Sequence, residues 1–365
     1  MILASSFTLS ALLTGIVKVY AGRKGFVSKP AQNRFAQRAV PLGGGIAIFL
    51  TLAFFMLSAA AVIKISVSGS ASGVSGTELQ NEGLNRLAEK ANINPADFLG
   101  KIDQLAAILV STFILFILGL LDDIKHLGPY LKLGVQFAAA VIVAVFAESR
   151  IEFFIENKFI TTLFSVLWIV LIINVFNFLD NMDGLSVGIA IITGCILLTA
   201  SVTSGQVFVG GLTIVFVGAL LGFLIFNFPP AGIFMGDSGS LVIGFFVALL
   251  SLRTTYYHEA QSGQWYPVFL PLIVLAVPLY DFISVTLLRI SQGKSPLIGD
   301  TQHFSHRMKK RGLSDRRTVL VLYLATLAAG LGGTFLYQVN LTGAILIFIQ
   351  TFLILIVIAV FEATG

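Results

Sequence analysis

Long apolar runs separated by short polar segments dominate this chain. A run of about 17 or more apolar residues is long enough to cross a bilayer as an α-helix. Such runs lie at about residues 2–20, 43–63, 104–121, 133–148, 159–176, 184–203, 207–226, 236–252, 266–288, 318–336 and 342–361. The pattern predicts an all-α, polytopic membrane protein with about 11 transmembrane helices.

Two stretches fit this pattern less well. The eighth run is the weakest, because its start overlaps FMGDSGS and only LVIGFFVALLSL is firmly apolar. The segment at about residues 64–103 begins as a Gly/Ser-rich stretch and ends as a short amphipathic helix. We therefore expect a single membrane domain over residues 1–365, with an extracytoplasmic loop insertion at about 64–103.

Composition supports the membrane assignment and excludes some chemistry. Of the 365 residues, 56% are hydrophobic and only 11% are charged, and the mean hydropathy is +0.93. The single Cys195 excludes an intramolecular disulfide and a cysteine-rich metal site. No basic residue precedes Lys18, so the first run is expected to remain as a span and not to be cleaved as a signal peptide.

The distribution of basic residues predicts the orientation. If the N-terminus lies outside, the loops 21–42, 122–132, 177–183, 227–240 and 289–317 and the C-terminus are cytoplasmic. These loops hold 15 of the 23 Lys and Arg residues. Because basic residues favour the cytoplasmic side, this orientation is expected, in the inner (plasma) membrane. Four motif-bearing loops then share one face, and ionisable groups at membrane depth usually mark a functional site.

The segment NVFNFLDNMDGL, residues 174–185, is a polar island between two apolar runs. Asn174, Asn177, Asp180 and Asp183 extend over about 13 Å if the segment is helical, which matches an extended nucleoside diphosphate. Helix capping is the alternative explanation, with Gly184 as the break. Capping accounts for one or two of these residues, so a bulky polar ligand is the preferred interpretation.

The segment MGDSGS places Asp237 among small residues immediately before a span. Small residues allow a phosphate or a backbone to approach closely, and the amides at a helix start attract anions. A carboxylate beside a phosphate requires a hard cation between them, for which Mg²⁺ is the usual choice. A simple Gly-containing turn is the alternative explanation.

Two further motifs carry ionisable groups. Asp122 and Asp123 end the third predicted span, although paired acids often only face solvent. His303 and His306 lie three residues apart beside Arg307 and other basic residues. Too few other histidines are present for a zinc site, so phosphate recognition is the preferred role. A basic patch that only anchors the chain to the membrane is the alternative.

Together these motifs resemble the polyprenyl-phosphate N-acetylhexosamine-1-phosphate transferase superfamily. The matching segments are KPAQNR…VPLGGG, LGLLDDIKHLGPYLKLGVQ, NVFNFLDNMDGLSVG, NFPPAGIFMGDSGS and VPLYDFISVTLLRISQGKSPLIGDTQHFSHR, and they run through most of the chain. The number of spans and the GKSP…D…H segment are more similar to the GlcNAc-1-phosphate branch than to the phospho-MurNAc-pentapeptide translocases.

The resemblance implies transfer of a sugar 1-phosphate, expected to be GlcNAc-1-phosphate, from a UDP-sugar to a polyprenyl phosphate, with release of UMP. It further implies Mg²⁺ as cofactor, with Mn²⁺ as a substitute, and cell-envelope polysaccharide synthesis as the pathway class. No nucleic-acid partner is expected, and a homodimer is compatible with the sequence. The implied roles are metal binding by Asp237 and Asn177, catalysis at the lipid phosphate by Asp122 and Asp123, and substrate binding by Asn174, Asp180, Asp183, His303, His306 and Arg307.

One position departs from the family pattern. The late loop of the family often carries a His-x-His-His cluster, whereas this chain has Ser305 in the third position. We expect Ser305 to matter less than the two histidines.

Two functions from other classes remain as alternatives. A transporter of an anionic substrate would place acids in mid-span, often within paired repeats, and no internal repeat is found. A CDP-alcohol phosphotransferase would carry an Ala-Arg pair shortly after its first Asp-Gly, which the segment DGLSVG lacks.

Overall fold

The computed structural model describes residues 1–28, 39–72, 99–147, 149, 157–254, 265–294 and 303–363. Most of these residues are helical, as the apolar pattern predicts. The helices are α1 (Ile2–Lys24), α2 (Gly44–Ser72), α3 (Leu99–Lys125), α4 (Pro129–Phe146), α5 (Lys158–Leu179), α6 (Leu185–Thr203), α7 (Val207–Asn227), α8 (Asp237–Arg253), α9 (Leu270–Val274), α10 (Ala276–Ser291), α11 (Phe304–Lys310), α12 (Asp315–Thr334) and α13 (Leu341–Ala363).

The all-α, polytopic membrane fold is confirmed. Within the described residues, nine helices are long and apolar enough to cross a membrane: α1 to α7, α12 with the 3₁₀ turn Phe335–Tyr337, and α13. A tenth candidate is the 3₁₀ turn Tyr266–Phe269 with α9 and α10, which are bent by 64°. The remaining predicted run, the eighth, corresponds to α8, which has only 17 residues.

Prolines explain the bend in the tenth candidate. The break lies at Leu275, between Pro271 at the start of α9 and Pro278 near the start of α10. Because proline has no backbone N–H, Pro278 cannot continue the hydrogen-bond ladder back to Val274. The apolar run 266–288 is therefore two helical pieces.

The weakest predicted span, α8, is the centre of the bundle. All of its residues from Ser238 to Ser251 are buried, and it packs against α2, α3, α5, α6 and α7. Since protein surrounds it, α8 does not need the length or uniform apolarity of a helix in contact with lipid. This explains why its signal in the sequence is weak.

Glycines on two neighbouring helices allow the start of α8 to be enclosed so tightly. A Cβ on Gly45 of α2 would lie 2.3 Å from the backbone nitrogen of Gly239. A Cβ on Gly119 of α3 would lie 2.4 Å from the backbone carbonyl oxygen of Asp237. Small residues at helix contacts are the usual means by which membrane helices approach each other. The small residues of MGDSGS therefore serve helix packing.

A short antiparallel ladder departs from the all-helical expectation. β1 (Val27–Ser28) pairs with β2 (Val40–Pro41) after the end of α1. The Phe234 amide donates to the Pro41 oxygen over 2.8 Å, and the Gly44 amide donates to the Phe234 oxygen over 3.0 Å. The ladder thus attaches the loop before α8 to the start of α2.

The polar motifs meet at one end of the bundle. Side-chain contacts join the end of α3 to the start of α8, and the end of α5 to both α8 and α11. The alternating direction of consecutive spans brings these loops to the same end, as the sequence predicts. The segments 29–38, 73–98 and 295–302, which contain KPAQNR, most of the predicted loop insertion and part of GKSP…D…H, lie outside the described residues.

Candidate active site

An ion-paired acidic cluster lies where α3, α4 and α8 meet. The Lys132 ammonium, in the first turn of α4, lies 2.6 Å from Asp122 Oδ2 and 2.9 Å from Asp237 Oδ2. About a fifth of the Lys132 and Asp237 side chains is exposed, at 22% and 21%, while Asp122 is nearly buried. One cation thus bridges two carboxylates at the edge of solvent.

The two adjacent aspartates of α3 have different environments. The second oxygen of Asp122, Oδ1, accepts a hydrogen bond from the Leu127 amide at 2.6 Å. Asp123 faces the start of α8, where its carboxylate oxygens accept from the Asp237 amide at 2.8 Å and from the Ser238 amide at 3.2 Å. Asp123 therefore caps α8.

The anion at the start of α8 belongs to the protein itself. The sequence predicts that the first amides of α8 attract an anion, and in the structure they bind the Asp123 carboxylate, which the positive end of the helix dipole also favours. Phosphate binding there stays a prediction. Gly236, with φ of 75°, makes room for that contact, since a Cβ there would lie 2.5 Å from Asp123 Oδ2. A catalytic role for Asp123 stays a prediction.

The two asparagines of α5 point to different neighbours. Asn177 donates to Ser240 Oγ at 2.8 Å and also interacts with the Asp237 carboxylate. Asn174 donates to Gln136 Oε1 of α4 and to its own helix at Val170, both at 2.7 Å. Asn177 therefore lies beside Asp237, as a shared metal requires, while Asn174 is directed toward α4.

The two aspartates that follow α5 lie in the loop to α6. Asp180 is the C-cap residue, directly after Leu179, and is partly exposed. Asp183 Oδ2 accepts from the Ala231 amide at 2.9 Å, and the next amide, that of Gly184, donates to Asn227 Oδ1 at 3.0 Å. Capping by Gly184 and a loop contact by Asp183 thus account for part of the polar island. Their roles in substrate binding stay predictions.

The histidine segment, His303 with α11 (residues 303–310), packs against α10. His303 is 4% exposed, and its Nδ1 lies 2.9 Å from Asp281 Oδ2. Arg307 donates from Nη2 to Ser284 Oγ at 3.0 Å. His306 lies on α11, with its side chain outside the described residues.

The end of α5 joins the acidic cluster to the histidine segment. Ser305 is fully buried, and its hydroxyl donates to Asn181 Oδ1 at 2.6 Å. The Asn181 Nδ2 in turn donates to the backbone carbonyl oxygen of Phe178 at 2.9 Å. The Phe178 ring lies edge-on to the His303 ring, 6.1 Å between centroids. Ser305 thus makes a defined contact in place of the family histidine, and its weight in catalysis stays a prediction.

Sequence reasoning missed two ionisable residues of this site. Lys132 lies at the start of an apolar run, and Asp281 is a lone acid inside the run 266–288. An ionisable residue within a membrane segment is by default a candidate functional residue. That signal was present for both, and both lie inside segments that carry the family resemblance, Lys132 in LGLLDDIKHLGPYLKLGVQ and Asp281 in VPLYDFISVTLLRISQGKSPLIGDTQHFSHR. No role for either follows from the sequence alone.

The oxygen ligands at the acidic cluster fit a hard cation. Mg²⁺ takes one or two protein carboxylates together with phosphate oxygens and water. The Asp122 and Asp237 carboxylates converge on one cationic atom, Lys132 Nζ, with the Asn177 amide alongside. Among the described residues no group of three or more His, Cys, Asp or Glu side chains is arranged to hold a metal. A hard cation bound by Asp237 and Asn177 would therefore need further oxygen ligands from substrate phosphates or water.

Comparison with known proteins gives consistent matches. The family described as glycosyl transferase family 4 matches residues 105–255, which include Asp122, Asn177 and Asp237. A probable undecaprenyl-phosphate N-acetylglucosaminyl 1-phosphate transferase of Bacillus subtilis is 31% identical over 322 residues, covering 86% of this chain and 78% of the relative.

Two further relatives carry related names. An undecaprenyl-phosphate alpha-N-acetylglucosaminyl 1-phosphate transferase of Thermotoga maritima is 28% identical, covering 89% of this chain and 87% of the relative. A decaprenyl-phosphate N-acetylglucosaminephosphotransferase of Mycolicibacterium smegmatis is 28% identical, covering 91% and 81%. The chain therefore belongs to glycosyl transferase family 4, within the polyprenyl-phosphate N-acetylhexosamine-1-phosphate transferase superfamily, and is a sugar-phosphate transferase.

Proposed function

We propose that this protein transfers GlcNAc-1-phosphate from UDP-GlcNAc to a polyprenyl phosphate and releases UMP. An oxygen of the lipid phosphate attacks the sugar-bearing phosphorus of the donor and forms a new P–O bond. The bond from that phosphorus to the bridging oxygen breaks, and the electron pair leaves with UMP. The product is a lipid-linked sugar diphosphate of the kind that cell-envelope polysaccharide synthesis requires.

The observation that carries the proposal is the Lys132 ammonium between Asp122 and Asp237 at the end of the bundle where the polar motifs meet. The reaction brings two anionic phosphate groups together, so its transition state needs cations at fixed positions. Lys132 supplies one such charge beside carboxylates that suit a metal. The names of the relatives support the sugar and the polyprenyl acceptor.

Residue roles follow from position. Asp237 and Asn177 would hold Mg²⁺, or Mn²⁺ in its place, and the cation would supply charge neutralisation at the phosphates. Asp122, with its carboxylate paired to Lys132, would orient or deprotonate the lipid phosphate, while Asp123 keeps α8 in place. Asn174, Asp180 and Asp183 would contact the nucleotide. His303, His306 and Arg307 would contact the donor phosphates or sugar.

The test of the reaction is a screen of UDP-sugars for UMP release by purified protein with polyprenyl phosphate and Mg²⁺. UDP-GlcNAc is expected to give the highest turnover, and release should require the lipid. Cys195→Ser, at an exposed residue of α6 to which no role in the reaction is assigned, is the matched active control. Release from a different UDP-sugar would correct the donor. Absence of release from every UDP-sugar would refute the transferase function proposed here.

We also propose that the site faces the cytoplasm, with the N-terminus outside and the C-terminus inside the plasma membrane. The support is the basic composition of residues 21–42 and 289–317. Single cysteines at Ser70 and Ser314, in a Cys195→Ser background, should be labelled from opposite sides of sealed vesicles, with Ser314 on the cytoplasmic side. Labelling of both from the same side would refute this orientation.

A further inference from the structure

Asp281 is a buried carboxylate that the roles above do not use. It lies on α10 and is 1% exposed. Its Oδ2 lies 2.9 Å from Nδ1 of His303, and its Oδ1 accepts a hydrogen bond from the Phe304 amide, also at 2.9 Å. Both oxygens of one carboxylate thus bind consecutive residues of the histidine segment.

This contact sets the proton arrangement of the His303 ring. An ionised carboxylate only accepts hydrogen bonds, so Nδ1 must carry the proton that it donates to Asp281. The other ring nitrogen, Nε2, is then directed away from Asp281. The Phe178 ring restricts rotation of the imidazole from the side, and Phe178 is itself packed beneath the Arg289 guanidinium at 5.1 Å.

We propose that Asp281 is a positioning residue that holds His303 with Nδ1 protonated and Nε2 directed at the donor substrate. The inference rests on the proposed function, because it assigns His303 a contact with the UDP-sugar. The competing account is structural only: Asp281 caps the start of α11 through the Phe304 amide and the imidazole contact has no catalytic consequence.

The substitution Asp281→Asn separates these accounts, because it keeps the shape of the side chain. An amide has one acceptor oxygen and one donor nitrogen. If the oxygen keeps the Phe304 amide, the donor nitrogen faces His303 Nδ1 and forces the ring proton to Nε2. The variant therefore retains the cap and inverts the tautomer. In the serine-protease triad the equivalent change lowers kcat by about 10⁴ through the wrong tautomer.

Histidine ¹⁵N NMR measures the tautomer without any reaction. The chain has four histidines, so His303→Gln identifies the His303 signals by their loss. The wild-type ring is expected to carry a proton on Nδ1, and Asp281→Asn should move it to Nε2. A wild-type ring protonated on Nε2 alone would overturn the proposal without any variant, and so would an unchanged ring in Asp281→Asn.

Kinetics supply the second readout. Asp281→Asn should lower kcat by about tenfold or more, with the KM for polyprenyl phosphate unchanged. Combined with His303→Gln it should add no further loss, because residues that act through one group are not additive. Losses that multiply in the double variant would show that Asp281 acts on the fold alone.

Asp315→Asn is the matched control. Asp315 pairs with Lys309 of the same segment at 2.7 Å but is 44% exposed. The Asp315→Asn variant should leave the His303 tautomer unchanged and keep turnover within about twofold of wild type, since exposed ion pairs contribute little to stability. If no UDP-sugar gives UMP with the wild-type protein, the proposed function fails, while the NMR comparison still decides whether Asp281 sets the tautomer.

Discussion

The two ends of α8 both bind ionisable side chains, but in different ways. At its start, the carboxylates of Asp122 and Asp237 share the single Lys132 ammonium. At its end, the Arg253 guanidinium donates to the Ala147 oxygen at 2.5 Å, to Ser149 Oγ at 3.1 Å and to Gln104 Oε1 at 2.6 Å. It also lies over the Phe208 ring at 5.1 Å.

The difference distinguishes a functional site from a structural contact at the two ends of the same buried helix. Neutral acceptors bind the Arg253 guanidinium, so its positive charge lies within a hydrogen-bonded cage. The other end concentrates several carboxylates, which repel each other and are offset by one cation. Such an arrangement costs stability, and it suits a site that must bind further cations and phosphates. We therefore assign function to the start of α8 and structural support to its end.

The largest expected effect comes from Asp237→Asn, which keeps the size of the side chain but removes the charge that a hard cation needs. Mg²⁺-dependent UMP release should fall by about two orders of magnitude or more while the protein still inserts. Asn177→Ala should weaken the same site, and the double variant should lose far less than the product of the single losses. Multiplicative losses with an unchanged Mg²⁺ requirement would contradict a shared cation.

Lys132→Met should have the next largest effect, because it leaves two carboxylates without their common cation. Turnover should fall by about tenfold or more, and stability by about 1–3 kcal/mol, measured by thermal unfolding in detergent. Lys309→Met is the matched control, since its pair with Asp315 is exposed. A Lys132 variant as mild as this control would show that the acidic cluster needs no internal cation. Adding Asp122→Asn to Lys132→Met should recover part of the stability.

Arg253→Met should have the smallest effect on activity, although it removes three hydrogen bonds and Lys132→Met removes two. The acceptors on Gln104 and Ala147 lose their donor, so stability should fall by about 1–3 kcal/mol. Turnover and the Mg²⁺ requirement, measured by UMP release below the unfolding temperature, should stay within about twofold of wild type. A Mg²⁺ requirement that shifted with this variant would show that both ends of α8 act on catalysis.

The sequence by itself determined the membrane fold and the grouping of the motifs. Apolar run length follows directly from bilayer thickness, so all eleven predicted runs correspond to helices or helix pairs of the structure. The alternation of spans then brings motifs far apart along the chain to one end of the bundle. The short central helix α8 gave the weakest signal because protein, and not lipid, surrounds it.

Only the tertiary structure decided what each polar side chain binds. Consecutive residues of a helix point about 100° apart, so the adjacent Asp122 and Asp123 reach different partners, one Lys132 and the other the start of α8. The same rotation directs Asn174 to α4 and Asn177 to α8. Lys132 and Asp281 joined the site because neighbouring helices pack with those faces inward. Helix rotation and packing depend on contacts between distant segments, which the order of residues along one span does not contain.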